Sequence, residues 1–320
     1  MKKEIQDAFL VANAKLETHR KVICSVSGGA DSDTMLDLIH RVDKDGKVEY
    51  VFFNTGLEYD ATKRHLDELE EKYGITIQRI NPIKPIPVSA KEDGQPFWSK
   101  FVSDMISRLQ KHGFDWVDEP FETLFEKYPN CKQGLLWWCN GNPPKASSGR
   151  ESSYNIAYVK WLKEFMLENP PDFKISAACC TYAKKKPAHK FKSASGCDLD
   201  CVGVRKAEGG VRSTVYKTCF TEGDQIDEFR PIFWLTDEDK EIYKQHYGLT
   251  YSDCYEVWGM KRTGCAGCPL GKRFEEELAL IQQYEPKFYK AANAVFGDAY
   301  EYTRKFEEFR KSKGFVARKL

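Results

Sequence analysis

The residues from Lys21 to Asp33 read K-V-I-C-S-V-S-G-G-A-D-S-D. Their order, an apolar run, a glycine pair and an amphipathic run, constrains the fold more than any other part of the chain. Lys21 to Val26 predicts a short buried strand. Met35, Leu36, Leu38 and Ile39 follow at the spacing of a helix with one buried face. The glycines therefore fall at a strand-to-helix turn. Gly28 and Gly29 can take backbone angles that a side chain forbids, and they let a ligand approach the main chain. Amide groups at the start of the following helix point at whatever fills the turn, and the helix dipole favours an anion there. Ser27 and Ser32 add hydroxyl donors. Asp31 beside a phosphate makes sense when a divalent cation bridges the two. No lysine follows the second glycine, so the loop is not of the GxxxxGK[ST] kind.

The loop resembles instead the SGGxDS loop of the ATP pyrophosphatases. That resemblance implies a grip on the pyrophosphate end of ATP while the bond between the α- and β-phosphates breaks.

Downstream the pattern repeats. "KVEYVFFNTG" reads as a second buried strand ending in Asn54-Thr55-Gly56. "ATKRHLDELEEKYG" reads as a helix with Leu66 and Leu69 inward and Gly74 as its stop. "ITIQRI" reads as a third strand. Strands alternating with helices imply an α/β fold, a Rossmann-like and mostly parallel sheet covered on both faces. Ligands of such sheets lie beyond the carboxyl ends of the strands, where "SGGADS" and "NTG" both fall. Between about 85 and 170 prolines and aromatics cluster, predicting a largely helical insertion whose Trp and Phe residues form core. Helices are expected over "SKFVSDMISRLQKHG" and "SYNIAYVKWLKEFMLENPP". "FKISAACC" reads as a returning strand, and so does the start of "DCVGVRKAEGGVRS". Two regions follow: 1–235 as the nucleotide-binding α/β domain with its insertion, and 236–320 as a helical region carrying a Cys-x-x-Cys motif.

Composition narrows the class. With 320 residues and a net charge of +1, the chain is not a histone-like polycation, although a local basic groove is compatible with it. No apolar run reaches the roughly 18 residues of a membrane helix. The N-terminal run is broken by Glu4, Gln6, Asp7 and Asn13 and reads as an amphipathic helix rather than a signal peptide. A cytoplasmic location is the expectation, with no membrane partner.

Eleven cysteines in such a chain point to metal or redox chemistry rather than structural disulfides. Cys179 and Cys180 are adjacent, and Cys265-Ala-Gly-Cys268 is a Cys-x-x-Cys turn. A bare dithiol or a zinc site is the alternative reading for the latter pair. Cys219 is a candidate working thiol. Cys24 reads as core. Cys197 and Cys201 read as structural or free thiols, and Cys131 and Cys139 carry no signal. "GVRKAEGGVRS" places Arg205, Glu208 and Arg212 near a strand end, where a guanidinium can hold phosphate or sulfate in two-point fashion. The run from Ala183 to Lys192, "AKKKPAHKFK", is the one dense basic stretch. It is either a solvated face or a guide for a polyanion.

Taken together, the loop, "NTGLEY", "GVRKAEGG" and the cysteine groups resemble the phosphoadenosine phosphosulfate (PAPS) reductase family of the adenine-nucleotide α-hydrolase superfamily. The resemblance covers about 21–80 and 173–270. It implies that Ser27, Gly28, Gly29, Asp31 and Ser32 hold phosphate or pyrophosphate, that Thr55 and Gly56 lie near the nucleoside, and that Arg205 and Arg212 clamp the sulfate or phosphate. The tandem cysteines with the Cys-x-x-Cys resemble the pattern by which assimilatory adenylylsulfate reductases hold a [4Fe–4S] centre. A set using Cys254, Cys265 and Cys268 with one of Cys179 and Cys180 is closer to DNA-phosphorothioation enzymes of the same superfamily.

Two departures shift the expected chemistry. Reductases of this family carry a catalytic cysteine on a C-terminal Glu-Cys-Gly type tail, and this sequence has none after Cys268. Their phosphate loop is usually eroded, whereas this one is intact. The expectation is ATP-dependent, adenylylating sulfur transfer with Mg²⁺, Asp31 and Cys219 being the candidate catalytic residues. The alternatives are a reductase acting on PAPS or adenylylsulfate and a non-catalytic nucleotide- and cluster-binding sensor. An adenine nucleotide is the expected ligand, and a nucleic-acid substrate or a sulfur-donor protein is a candidate partner.

Overall fold

A computed structural model describes residues 2–143, 151–209, 214–271 and 273–315. Its contacts divide the chain into two compact units, each built from two segments: Met1–Pro85 with Tyr182–Ala266, and Ile86–Thr181 with Gly267–Leu320.

The first unit is an α/β sheet layer of the Rossmann-like kind. Its strands are β1 (Val22–Val26), β2 (Val48–Phe53), β3 (Ile77–Ile80), β4 (Leu199–Val202), β5 (Phe220–Thr221) and β6 (Asp227–Phe229), in the order β3-β2-β1-β4-β6-β5. All neighbours are parallel except β5 and β6. Helices α1 (Lys3–Thr18), α2 (Ala30–Val42) and α3 (Asp60–Tyr73) lie in this unit. Strand alternation sends Val22, Cys24 and Val26 to one face, where they join Leu36, Tyr50 and Leu66 in the larger core. Ile23 and Val51 point to the other face, against Cys197 and Phe191. Cys24 and Cys201 are fully buried strand residues, as expected for Cys24. Gly74 ends α3 in the left-handed conformation, φ +62°, which only glycine adopts without strain.

Among its described residues the regular structure of the second unit is helical apart from one isolated bridge. Its core is aromatic: Phe97, Trp137, Trp138, Phe165, Tyr302 and Phe306 are all buried in one cluster. The Lys100–Lys111 helix forms as its periodicity predicts, capped by Ser99, whose hydroxyl accepts from the Val102 amide at 3.1 Å. Among the described residues no helix is long and apolar enough to cross a membrane.

Two local expectations are corrected. "FKISAACC" is not a strand: it makes one isolated bridge, Ile175 to Gln95, and Ala178–Cys180 is helical. A strand needs a partner along its length, and among the described residues this run has one bridging position. "SYNIAYVKWLKEFMLENPP" is not one helix. A 3₁₀ turn at Ile156–Tyr158 is separated from the Leu162–Glu168 helix by Trp161 at φ +66°, a left-handed residue that no α-helix accommodates.

Candidate functional site

The Ser27–Ser32 loop leaves the carboxyl end of β1 and becomes the first turn of α2. Gly28 is left-handed, φ +65°, and a Cβ there would stand 2.8 Å from Thr62 Cγ2 on α3. Both conditions exclude a side chain. Gly29 is the N-cap of α2 with extended backbone, φ −101°. Its Cα faces the Tyr255 hydroxyl and Thr263 Oγ1, which a Cβ would meet at 3.2 and 3.3 Å. Tyr255 and Thr263 hydrogen-bond each other at 2.8 Å. The loop is closed on itself by the Ser27 amide, which donates to Ser32 Oγ at 2.8 Å. Ser27 remains exposed, whereas Ser32 is buried.

Asp31 stands in a cluster of charges on the first turn of α2. Its Oδ1 accepts from Arg205 Nε at 2.9 Å and from Lys240 Nζ at 2.8 Å. Arg205 is only 4% exposed. It also donates from Nη2 to Asp237 Oδ1 at 2.8 Å and from Nη1 to the Leu235 carbonyl at 3.2 Å. Burial works against the Arg205 charge, but Asp31 and Asp237 outweigh it and hold the guanidinium above its ordinary range. Three of its five N–H donors are thus engaged within the fold. β4 delivers Arg205 here by close approach: a Cβ on Gly203 would stand 3.0 Å from the Ser32 Cα.

The second strand end lies beside the first, since Val26 pairs with Phe52. Thr55 is buried, and its amide and hydroxyl both donate to Glu58 Oε1, at 3.2 and 2.6 Å. Burial raises the Glu58 pKa, with the Lys184 charge and Thr55 acting against it. Gly56 is left-handed, φ +78°, and a Cβ there would strike Pro85 at 2.7 Å. Behind the loop, Asp33 Oδ2 and His65 Nε2 are 2.8 Å apart and nearly inaccessible. This pair ties α2 to α3 where Thr62 meets Gly28.

The other sequence candidates are distributed differently. Arg212 lies outside the described residues. Cys219 is half-buried and opens on a small cleft of about 160 Å³ with Val11, Phe229 and Trp234. It sits next to β5, three strand positions from β1, a lateral distance of about 14 Å. Cys254 is fully buried and belongs, with Cys265, to the first unit; Cys179, Cys180 and Cys268 belong to the second. Among the described residues no group of three or more His, Cys, Asp or Glu is arranged to hold a metal ion. The thiols suit a thiolate-bound centre in chemistry.

Lys240, Asp237, Tyr255, Thr263 and Glu58 were not singled out from the sequence. Glu58 alone carried a signal, being part of "NTGLEY". The others are ordinary polar residues of a helical, polar region, and only their contacts mark them. The resulting arrangement is a glycine turn at a helix start, an exposed Ser27 hydroxyl, and two cations beside one carboxylate. It can stabilise a polyphosphate and place Asp31 to bind a cation once the lysine or arginine moves to phosphate.

Residues 21–112 match the phosphoadenosine phosphosulfate reductase domain model. The uncharacterized protein MJ0066 of Methanocaldococcus jannaschii is 24% identical over 284 residues, 88% of this chain and 42% of that protein. Adenosine 5'-phosphosulfate reductase 2 of Bacillus subtilis is 24% identical over 148 residues, 46% of this chain and 55% of that protein. The chain thus spans about half the length of these relatives. A phosphoadenylyl-sulfate reductase structure from Candida auris aligns over 83% of this chain and 96% of that one, with 14% identity and a TM-score of 0.43, a likeness too weak to argue from.

Proposed function

We propose, from the match of residues 21–112 to the phosphoadenosine phosphosulfate reductase domain model, an enzyme that uses ATP to adenylylate an acceptor for sulfur transfer. One observation carries the reading: the phosphate loop is intact, with Asp31 at its mouth between Arg205 and Lys240. In the first step an acceptor oxygen attacks the α-phosphorus of ATP. The bond from that phosphorus to the α,β-bridging oxygen breaks, and pyrophosphate leaves. Charge grows on the departing pyrophosphate, and the loop amides, the Ser27 hydroxyl and Lys240 stabilise it. A divalent cation, when bound at Asp31, neutralises further phosphate charge. In the second step a sulfur nucleophile attacks the activated carbon, the carbon–oxygen bond breaks, and AMP leaves. The Thr55–Gly56 turn stands beside the loop as a nucleoside contact.

For the metal we propose a [4Fe–4S] centre held by Cys265 and Cys268 with two of Cys179, Cys180 and Cys254; when bound it would supply an iron site for a sulfur ligand. Cys219, about 14 Å to the side of β1, is read as the thiol that meets a sulfur donor in the second step rather than the α-phosphate.

The test is product analysis. With ATP and Mg²⁺, wild-type protein should release pyrophosphate when the acceptor is present, and Asp31→Ala should not. Sulfite release from adenylylsulfate or PAPS, at the same rate in Asp31→Ala, would replace this reading with a reductase. That second reading is favoured by the likeness to a Bacillus subtilis adenosine 5'-phosphosulfate reductase.

A further inference from the structure

The helix that covers the second face of the sheet, Lys186–Ser195, has two unlike sides. Inward, Phe191 packs on Ile23 and Val51. Lys192 reaches the buried Asp200 of β4, whose other oxygen accepts from Ser25 Oγ at 2.8 Å. These contacts account for the helix's place in the fold. Outward, Lys186, His189 and Lys190 are exposed, as are Lys184 and Lys185 of the π-helical turn Thr181–Lys185 that leads into it. Positions 185 and 189, and 186 and 190, are helical neighbours, so the like charges repel at a cost of about 0.2–0.5 kcal/mol per pair when both are protonated. No Asp or Glu occurs anywhere in this helix to offset them. Among the described residues Lys185, Lys186 and Lys190 form no ion pair. Lys186 instead stands 4.5 Å over the Tyr182 ring, with Lys84 4.9 Å over the same ring. The Tyr182 carbonyl accepts from the Ile83 amide at 3.1 Å, which fixes that arrangement. The stripe begins beside the candidate nucleotide site, because the Lys184 charge acts on Glu58, the carboxylate that holds the Thr55 turn.

We propose that this basic helix face binds the phosphodiester backbone of a nucleic-acid strand, so that the acceptor of sulfur is a nucleic acid. The proposal rests on the adenylylating reading for the word acceptor, but not for the binding. The repulsion along the stripe is relieved when phosphates replace condensed counterions. A row of lysines beginning at the Thr55 turn suits a substrate that must be held along its length while one group reaches the loop.

The experiment uses the full chain and a short labelled RNA, with DNA of the same sequence in parallel. Binding is measured by anisotropy across a salt series, for wild type and for Lys185→Ala with Lys186→Ala and Lys190→Ala. Three lost phosphate contacts should lower the slope of log affinity against log salt by about two, at roughly 0.7 per contact for a single strand. ATP affinity should not change, since none of the three touches the loop. Tighter binding of one of the two strands identifies RNA or DNA as the source. An unchanged slope and affinity in the triple variant would overturn the proposal. So would heparin binding that matches the oligonucleotides in affinity and slope, because the face would then be a general polyanion surface. Strand binding that follows the lysines while no pyrophosphate is released from ATP would leave the surface standing and sink the adenylylating reading instead.

Discussion

Lys240 Nζ stands 2.8 Å from Asp31 Oδ1, the same oxygen that accepts from Arg205 Nε. One carboxylate of the phosphate loop is therefore held by two cations from distant parts of the chain. On the proposed function, a polyphosphate would compete for those cations and a divalent cation for the carboxylate. Such an exchange would couple the two binding events.

Replacing Lys240 with Met should weaken ATP binding about tenfold or more. One charge-assisted hydrogen bond is worth about 1.5–3 kcal/mol. Asp237→Ala should matter far less, since that carboxylate is 84% exposed and exposed pairs contribute little. Calorimetry with Mg²⁺-ATP separates the two. Equal loss in both variants would mean that Arg205, not Lys240, meets the phosphate.

Gly28→Ala should destabilise the protein by about 1–3 kcal/mol, from the left-handed backbone and the contact with Thr62. Adding Thr62→Ser removes the methyl group and should restore part of the loss, but not the backbone share. Urea midpoints of the single and double variants measure this. A Gly28→Ala protein as stable as wild type would contradict the loop geometry.

His65 gives the loop region a pH dependence. Burial disfavours its charge, but the hydrogen bond and charge of Asp33, with help from Glu68, outweigh burial and raise its pKa above 6.5. The folded state then binds more protons than the unfolded state above that pH. The stabilisation is present in full below about 6.5 and is lost as pH rises through the raised value. Urea unfolding of wild type should show stability falling across that window. The double variant Asp33→Asn with His65→Gln should flatten it; parallel pH profiles would remove His65 as the cause.

Anaerobically purified protein should contain iron and acid-labile sulfide, ~4 of each per chain for a [4Fe–4S] centre. Cys265→Ser and Cys268→Ser should each lose the metal and its visible absorbance. One zinc per chain and no sulfide would assign the Cys-x-x-Cys turn to a different ion.

Much of the first unit is legible in order along the chain. The apolar run of β1, the glycine pair and the amphipathic run of α2 encode strand, turn and helix locally, because each depends on side-chain periodicity and on which residues tolerate left-handed backbone. The stop at Gly74 follows from the same rule. Periodicity fails where a partner decides the outcome. "FKISAACC" has the apolar content of a strand, yet hydrogen-bonding edges, not composition, make a strand: Ile175 bridges to Gln95 and its amide donates to the Gln110 side chain instead of a ladder.

The charges at the site belong to the tertiary structure. Arg205 reads in the sequence as an anion clamp, and the fold ties it to Asp31, 174 positions away, while Lys240 reaches the same carboxylate across 209. No local pattern encodes such a pairing. It arises because β4 lies against β1 despite the long insertion between them, which sets the two strand ends side by side. The aromatic core follows the same logic: Phe97 meets Tyr302 and Phe306 at ring distances of 4.8 and 6.1 Å. Hydrophobic burial has no preferred direction along the chain, so the sequence determined that these rings would be inside, and only the fold decided which of them would touch.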